Sequence, residues 1–173
     1  MRFVSCTHEE HAGQMLDILN EAIVNSTVLY DYLPRPPESM VSWFGAKEAG
    51  RFPVIGVEDH TGTLMGFATY GSFRAWPAYK YSVENALYIH KDHRRKGLGL
   101  MLMQRLIEAA GEQQYHSLIA GISMDNPASI SLHEKLGFAH AGTIRQAGLK
   151  FGQWLDLGFY QLLLETPAEP VDG

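Results

Sequence analysis

Three short groups of residues have the types and spacing to do chemistry. The first is a carboxylate inside an apolar run, Glu84 in Val83-Glu84-Asn85-Ala86-Leu87-Tyr88-Ile89. A buried carboxylate is costly unless it is paired or used, so Glu84 reads either as a salt-bridged residue at a strand end or as a general base. The second is Arg94-x-x-Gly97-x-Gly99, with His90, Lys91 and His93 before it and Arg95 and Lys96 inside it. Glycines and cations at the start of a helix suit an anion, because the first helical N–H groups have no intrahelical partner and a missing β-carbon lets phosphate approach the backbone. The third is Asn126-Pro127, followed by Ser129, His133 and Gly137.

The second group is neither common nucleotide loop. G-x-x-x-x-G-K-[ST] is absent, and G-x-G-x-x-G fails because Leu102 stands where the third glycine belongs. Taken alone, R-x-x-G-x-G also describes a plain loop with a helix-starting glycine.

These groups need elements to hold them. Residues 83–89 read as a strand on which Glu84, Ala86 and Tyr88 share one face and Val83, Asn85, Leu87 and Ile89 the other. A loop over residues 90–97 leads to a helix opening at Leu98. Leu98, Leu102, Leu106 and Ala109/Ala110 form its apolar stripe, and Gln104, Arg105, Glu108 and Glu112 its polar face. A strand over residues 117–122 follows, then a helix of about three turns with Asn126 as N-cap, Pro127 at its first position and Gly137 past its end.

This order, with an R-x-x-G-x-G loop and a helix opened by Asn126, resembles the GNAT superfamily of N-acetyltransferases. Three features narrow the resemblance to the phosphinothricin and methionine sulfoximine acetyltransferase branch, over nearly the whole chain: Val83-Glu84-Asn85, Leu132-His133-Glu134 before Leu136-Gly137-Phe138, and the segment over residues 148–159. The resemblance implies an α/β (α+β) domain of the acyl-CoA N-acyltransferase fold, with a central mixed, mostly antiparallel seven-stranded sheet flanked by about four helices. It implies acetyl-CoA as co-substrate, with the pyrophosphate on Arg94, Arg95, Lys96, Gly97, Leu98, Gly99 and Leu100. The acyl carbonyl would lie on the backbone of Leu87, Tyr88 and Ile89, and the pantetheine arm beside Asn126 and Ser129.

For the reaction, the resemblance implies Glu84 as general base toward the amine. His133 stands in the helix where many members carry a tyrosine as acid toward the thiolate, and a structural helical histidine is the alternative. The acceptor would be a small amino-acid-like molecule enclosed by Tyr30, Phe73, Arg74, Trp76, Val83 and Glu84. A homodimer would form around Lys150-Phe151-Gly152-Gln153-Trp154. Acetylation of a protein N-terminus or lysine is a second reading, and a CoA-binding sensor without turnover a third.

The rest of the chain bounds these readings. Its 173 residues suit one domain over residues 1–165 with a loose tail over 166–173. A net charge of −5, from 14 basic and 19 acidic residues, gives no general attraction to nucleic acid or an anionic membrane. No apolar run is long enough to span a bilayer and no signal-peptide pattern precedes the first strand, so a cytoplasmic protein is expected. The single cysteine, Cys6, excludes an internal disulfide and reads as a small buried residue. His90 and His93 form an H-x-x-H pair with no further ligand beside it, and no metal site is expected.

Before the central strand, residues 3–6 read as a strand, and a helix opening at Thr7 or His8 turns Met15, Leu16, Leu19, Ala22 and Ile23 inward. The aromatic, proline-broken stretch over residues 25–37 is either a surface connector or a wall of the acceptor pocket. Residues 38–49 should form a helix with Met40, Val41 and Phe44 inward, and residues 53–57 and 64–70 a hairpin. A second aromatic loop covers residues 71–81, and strands at 139–147 and 154–164 end the domain.

Overall fold

The chain begins with Arg2–Ser5 as β1 and His8–Asn25 as α1, whose N-cap Thr7 accepts from the Glu10 N–H. It continues through α2 (Ser39–Ala49), β2 (Val54–Glu58), β3 (Leu64–Ser72), β4 (Ser82–Ile89) and α3 (Leu98–Glu112). The last elements are β5 (Ser117–Ser123), α4 (Pro127–Lys135), β6 (Ala139–Lys150) and β7 (Gln153–Leu163). This computed structural model describes residues 1–172.

The strands form one sheet in the order β1-β2-β3-β4-β5-β7-β6. Every neighbouring pair is antiparallel except β4 and β5, which run parallel. α1 and α2 cover one face, where Met15, Leu19 and Met40 pack on Val54, Leu64 and Phe67. α3 covers the other, with Leu98, Leu102 and Leu106 against Ala68, Tyr70, Val83 and Leu118. The seven-stranded, mostly antiparallel sheet with four helices is the expected architecture.

One feature of the sheet prepares the site. β4 pairs with β3 along its length, from Ser72↔Val83 to Gly66↔Ile89, but with β5 only at Ser82↔Ser117, Val83↔Leu118 and Glu84↔Ile119. Beyond Glu84 the parallel strands separate, and β5 continues to Ser123 bonded only to β7. The edge of β4 over residues 85–89 therefore faces a gap with unpaired backbone groups.

Several local expectations change. In α2, Val41 is 61% exposed, because the inward stripe falls at i, i+3, i+4 and i+7 on Met40, Trp43, Phe44 and Lys47. The C-terminal tail is tied down: Thr166 Oγ1 donates to the Tyr115 carbonyl, and the Val171 N–H donates to the Tyr81 hydroxyl at 3.1 Å. Lys150 is also not part of an exposed hairpin surface. It is 4% exposed, and its Nζ donates to the carbonyls of Ile23, Ser26 and Leu29 at 2.7, 2.8 and 2.5 Å. Those carbonyls lie at and just past the end of α1, so the lysine satisfies acceptors that helix geometry leaves open.

Candidate active site

The gap between β4 and β5 opens into a cleft of about 410 Å³. A wider hollow of about 580 Å³ lies beside α3 and Phe3, but its charged residues Arg105 and Glu108 pair with each other and no catalytic group faces it. The cleft has two chemically different ends, because successive side chains of β4 point to opposite faces of the sheet.

At the end covered by α1 and α2 stands Glu84. The strands beside it carry glycines: Gly71 lies opposite Glu84 on β3, and a β-carbon on Gly121 of β5 would come within 3.1 Å of Glu84 Oε1. Small neighbours on both sides leave the carboxylate reachable, with Val28 and Leu29 forming the wall above it. Burial raises the Glu84 pKa above the ordinary carboxylate value, and the Arg74 charge partly offsets this. Glu84 has no salt-bridge partner among the described residues. Of the two readings of this residue, the strand-end ion pair does not fit.

At the end covered by α3 and α4 stand Asn85, Ser129, His133 and Asn126. Asn126 caps α4, its Oδ1 accepting the Ser129 N–H at 3.2 Å. His133 is 3% exposed and both ring nitrogens are engaged. Nδ1 donates to the Ser129 carbonyl at 2.8 Å, which leaves Nε2 to accept from Asn85 Nδ2 at 3.0 Å. Burial lowers the His133 pKa, so the ring stays neutral. Its one proton is tied to a backbone carbonyl, which suits a residue that holds Asn85 and α4 together better than one that protonates a thiolate. Asn85 Oδ1 is buried without a partner.

At the mouth of this end, Gly97 precedes α3 with φ 78 and ψ −2, the left-handed region that glycine occupies at little cost. No side chain caps the helix, and the first helical bond runs from the Met101 N–H to the Gly97 carbonyl. The N–H groups of Leu98, Gly99 and Leu100 are thus free for an anion. Arg95 and Lys96 are exposed beside them, while Arg94 is held by Glu21 of α1. Gly99 has a packing reason as well: a β-carbon there would stand 3.1 Å from Leu132 and 3.3 Å from Leu87. The donors, the glycine and the cations fit a pyrophosphate, and the gap beyond them fits an extended arm.

Of the acceptor residues read from sequence, Glu84 lines the cleft and the other five do not. Val83 is fully buried under α3, on the opposite face of β4 from Glu84. Arg74 lies outside, stacked on Phe73 at 4.2 Å and bonded to the Phe73 carbonyl, and Trp76 is 74% exposed. Arg74 and Trp76 border a separate hollow of about 190 Å³. Tyr30 reaches Ser123 with its hydroxyl at 3.3 Å, but its ring packs over Gly148. Lining residues that sequence reading missed include Lys47, Gly71, Asn85 and Gly121, while Val28 and Leu29 belong to the 25–37 stretch and fit its reading as a pocket wall. Only Lys47 left a usable signal, as a cation on the inward stripe of α2. Among the described residues no group of three or more metal-ligating side chains occurs, and no helix is long and apolar enough to cross a membrane.

Comparison with known proteins agrees with this geometry. The model of the Acetyltransferase (GNAT) family matches residues 15–138. The chain is 40% identical to the L-methionine sulfoximine/L-methionine sulfone acetyltransferase of Pseudomonas paraeruginosa, over 87% of this chain and 88% of that protein. It is 36% identical to the phosphinothricin N-acetyltransferase of Streptomyces viridochromogenes, over 89% and 83% of the two chains. An acetyltransferase from Salmonella typhimurium, solved with its cofactor acetyl-CoA, superposes with a TM-score of 0.93 at 33% identity, covering 99% of this chain and 98% of that one.

Proposed function

The chain belongs to the GNAT acetyltransferase family and is an acetyl-CoA-dependent N-acetyltransferase, and from that premise we propose that it acetylates the α-amino group of a small amino acid of the methionine sulfone, methionine sulfoximine or phosphinothricin type. The observation that carries this reading is Glu84: an unpaired carboxylate with a raised pKa, set between two glycines where β4 and β5 part. The relatives named for such acceptors support the substrate class.

Acetyl-CoA supplies the thioester from which the acetyl group is transferred, the N–C bond forming as the C–S bond breaks. The chain's residues do the rest. The free N–H groups of Leu98, Gly99 and Leu100, with Arg95 and Lys96, hold the pyrophosphate, and Asn126 and Ser129 border the pantetheine arm. The backbone N–H groups of Leu87 and Ile89 turn toward the gap, that of Tyr88 facing β3, and donate to the acyl oxygen. Glu84, directly or through a water, takes the proton the attacking amine must lose. That proton is also the one the leaving thiolate needs, so the balance closes without a proton from His133, to which we assign a positioning role.

Two chains should associate through the β6–β7 hairpin. Phe151 is 59% and Trp154 62% exposed, and Tyr32 and Leu33 of the neighbouring loop are 72% and 77% exposed, with Tyr32 Oη bonded to the Leu149 carbonyl at 2.8 Å. Exposed large apolar residues from two adjoining segments form the kind of patch a copy of the chain covers.

The test follows free-thiol release with L-methionine sulfone, L-methionine sulfoximine, phosphinothricin and a peptide with a free N-terminus. The proposal expects faster turnover on the small acceptors. Preference for the peptide overturns the substrate class, and acetyl-CoA binding without turnover on any amine overturns the enzymatic reading.

A further inference from the structure

The cleft contains a second charged group that the reaction does not use. Lys47 projects from the inward stripe of α2 across β3, and its Nζ donates to the Tyr70 carbonyl at 2.8 Å. It sits 3.5 Å from where a β-carbon on Gly71 would be, and Gly71 is the residue directly opposite Glu84. The rings of Trp43 and Phe52, 5.1 and 5.8 Å from Nζ, hold the side chain in place. Among the residues lining the cleft, Lys47 carries the only ammonium group and Glu84 the only carboxylate.

The two charges do not pair. Neither Glu84 nor Lys47 has a salt-bridge partner among the described residues, and Nζ has three donors of which the Tyr70 carbonyl takes one. A cation and an anion that face one cavity without touching suit a ligand carrying the complementary pair. An α-amino acid is such a ligand: its nitrogen and carboxylate share one carbon, so the amine can lie at Glu84 while a carboxylate oxygen reaches Nζ at about 2.8 Å. Arg74 stacks on Phe73 and does not line the cleft, although its charge reaches Glu84, whereas Lys47 Nζ opens into the cleft itself.

We propose that Lys47 receives the α-carboxylate of the acceptor and so selects free α-amino acids over plain amines and over peptide N-termini, which have no carboxylate at that position. The inference rests on the α-amino-acid reading of the acceptor and adds the residue that enforces it. Burial lowers the Lys47 pKa to about 8, so the group is still mostly charged at neutral pH, and a bound carboxylate favours that charge further.

The test compares kcat/KM for L-methionine sulfone with that for its decarboxylated analogue, 3-(methylsulfonyl)propylamine, in the wild type, Lys47→Met and Lys47→Arg. Comparing ratios between enzymes cancels the different intrinsic reactivities of the two amines. The expected result is a loss of about 10²-fold on the amino acid in Lys47→Met, little loss on the amine, and an unchanged KM for acetyl-CoA. Lys47→Arg keeps most of the preference for the amino acid. Equal losses on both compounds, or an unchanged rate on the amino acid, overturn the carboxylate anchor while leaving the acceptor class intact. A wild type that acetylates the decarboxylated amine but not the amino acid overturns the acceptor class and the anchor together.

Discussion

The two ends of the cleft are built in different ways. The end proposed for acetyl-CoA uses backbone: free N–H groups at the start of α3, a left-handed Gly97, and Asn126 capping α4. Its parts lie close together in the chain. The end proposed for the acceptor uses side chains from distant segments: Lys47 on α2, Gly71 on β3, Glu84 on β4, Gly121 on β5, and a loop after α1 held by Lys150 from the β6–β7 hairpin. A backbone site tolerates sequence change outside its few glycines and caps, whereas a site assembled from remote side chains can be retuned one residue at a time. This fits a family with a common co-substrate and differing acceptors.

The comparison breaks most sharply at Glu84. Glu84→Gln keeps the shape and removes the base, so kcat should fall by about 10²–10⁴-fold at neutral pH while acetyl-CoA affinity stays within a factor of a few. Steady-state kinetics with a separate acetyl-CoA titration checks both halves. In the wild type, activity should rise with pH through a carboxyl pKa above the ordinary range, in the direction burial moves Glu84. Equal damage to turnover and to acetyl-CoA binding would show that the two ends are not independent.

Next in size is Lys150→Met, which leaves three carbonyls at the end of α1 without their donor. An unfolding free energy lower by about 2–4 kcal/mol is expected in a denaturant titration. The loop over Val28 and Leu29 should loosen too, raising KM for the acceptor more than KM for acetyl-CoA. At the other end, Gly97→Val forces a β-branched residue into φ 78, at a cost of roughly 1–3 kcal/mol. The structure shifts the sequence-based emphasis from Gly99, whose missing β-carbon meets Leu132 and Leu87, to Gly97, where only conformation is at stake. Acetyl-CoA affinity measured by calorimetry should fall by roughly 10-fold in Gly97→Val, with acceptor KM nearly unchanged.

What could be read from sequence follows the same division. The strands, the helices and an anion-suited loop were legible because period, caps and glycine spacing are local signals, while the seven-stranded sheet and acetyl-CoA came only with the resemblance. Glu84 was legible because a carboxylate inside an apolar strand has to be accounted for. The other acceptor residues were not, since Gly71 and Gly121 matter only through the register that sets them beside Glu84. Arg74 and Trp76 have the right chemistry and proximity in sequence, but they border a separate hollow and do not line the cleft. For His133 the resemblance implies an acid, with a structural helical histidine as the alternative. Its neighbours Ser129 and Asn85, one on its own helix and one on β4, decide the tautomer and remove the mobile proton.

The smallest effect separates function from stability at the same residue. Burial raises the Glu84 pKa, so the folded chain binds this proton more readily than the unfolded one. Stability therefore falls as pH rises from the unfolded carboxyl value of about 4.3 through the raised folded value, and the penalty is complete above that folded value. Glutamine carries no charge to desolvate. Glu84→Gln should accordingly melt slightly higher than the wild type at about pH 7, by roughly 1–3 °C, and the difference should vanish at about pH 3, well below the unfolded value, where the wild-type carboxyl is protonated in both states. Thermal unfolding at both pH values measures it. A gain at neutral pH that disappears in acid identifies an ionised, partly desolvated carboxylate kept for its reactivity. A gain equal at both pH values would instead trace to packing against Gly121 and remove the electrostatic argument for Glu84 as the base.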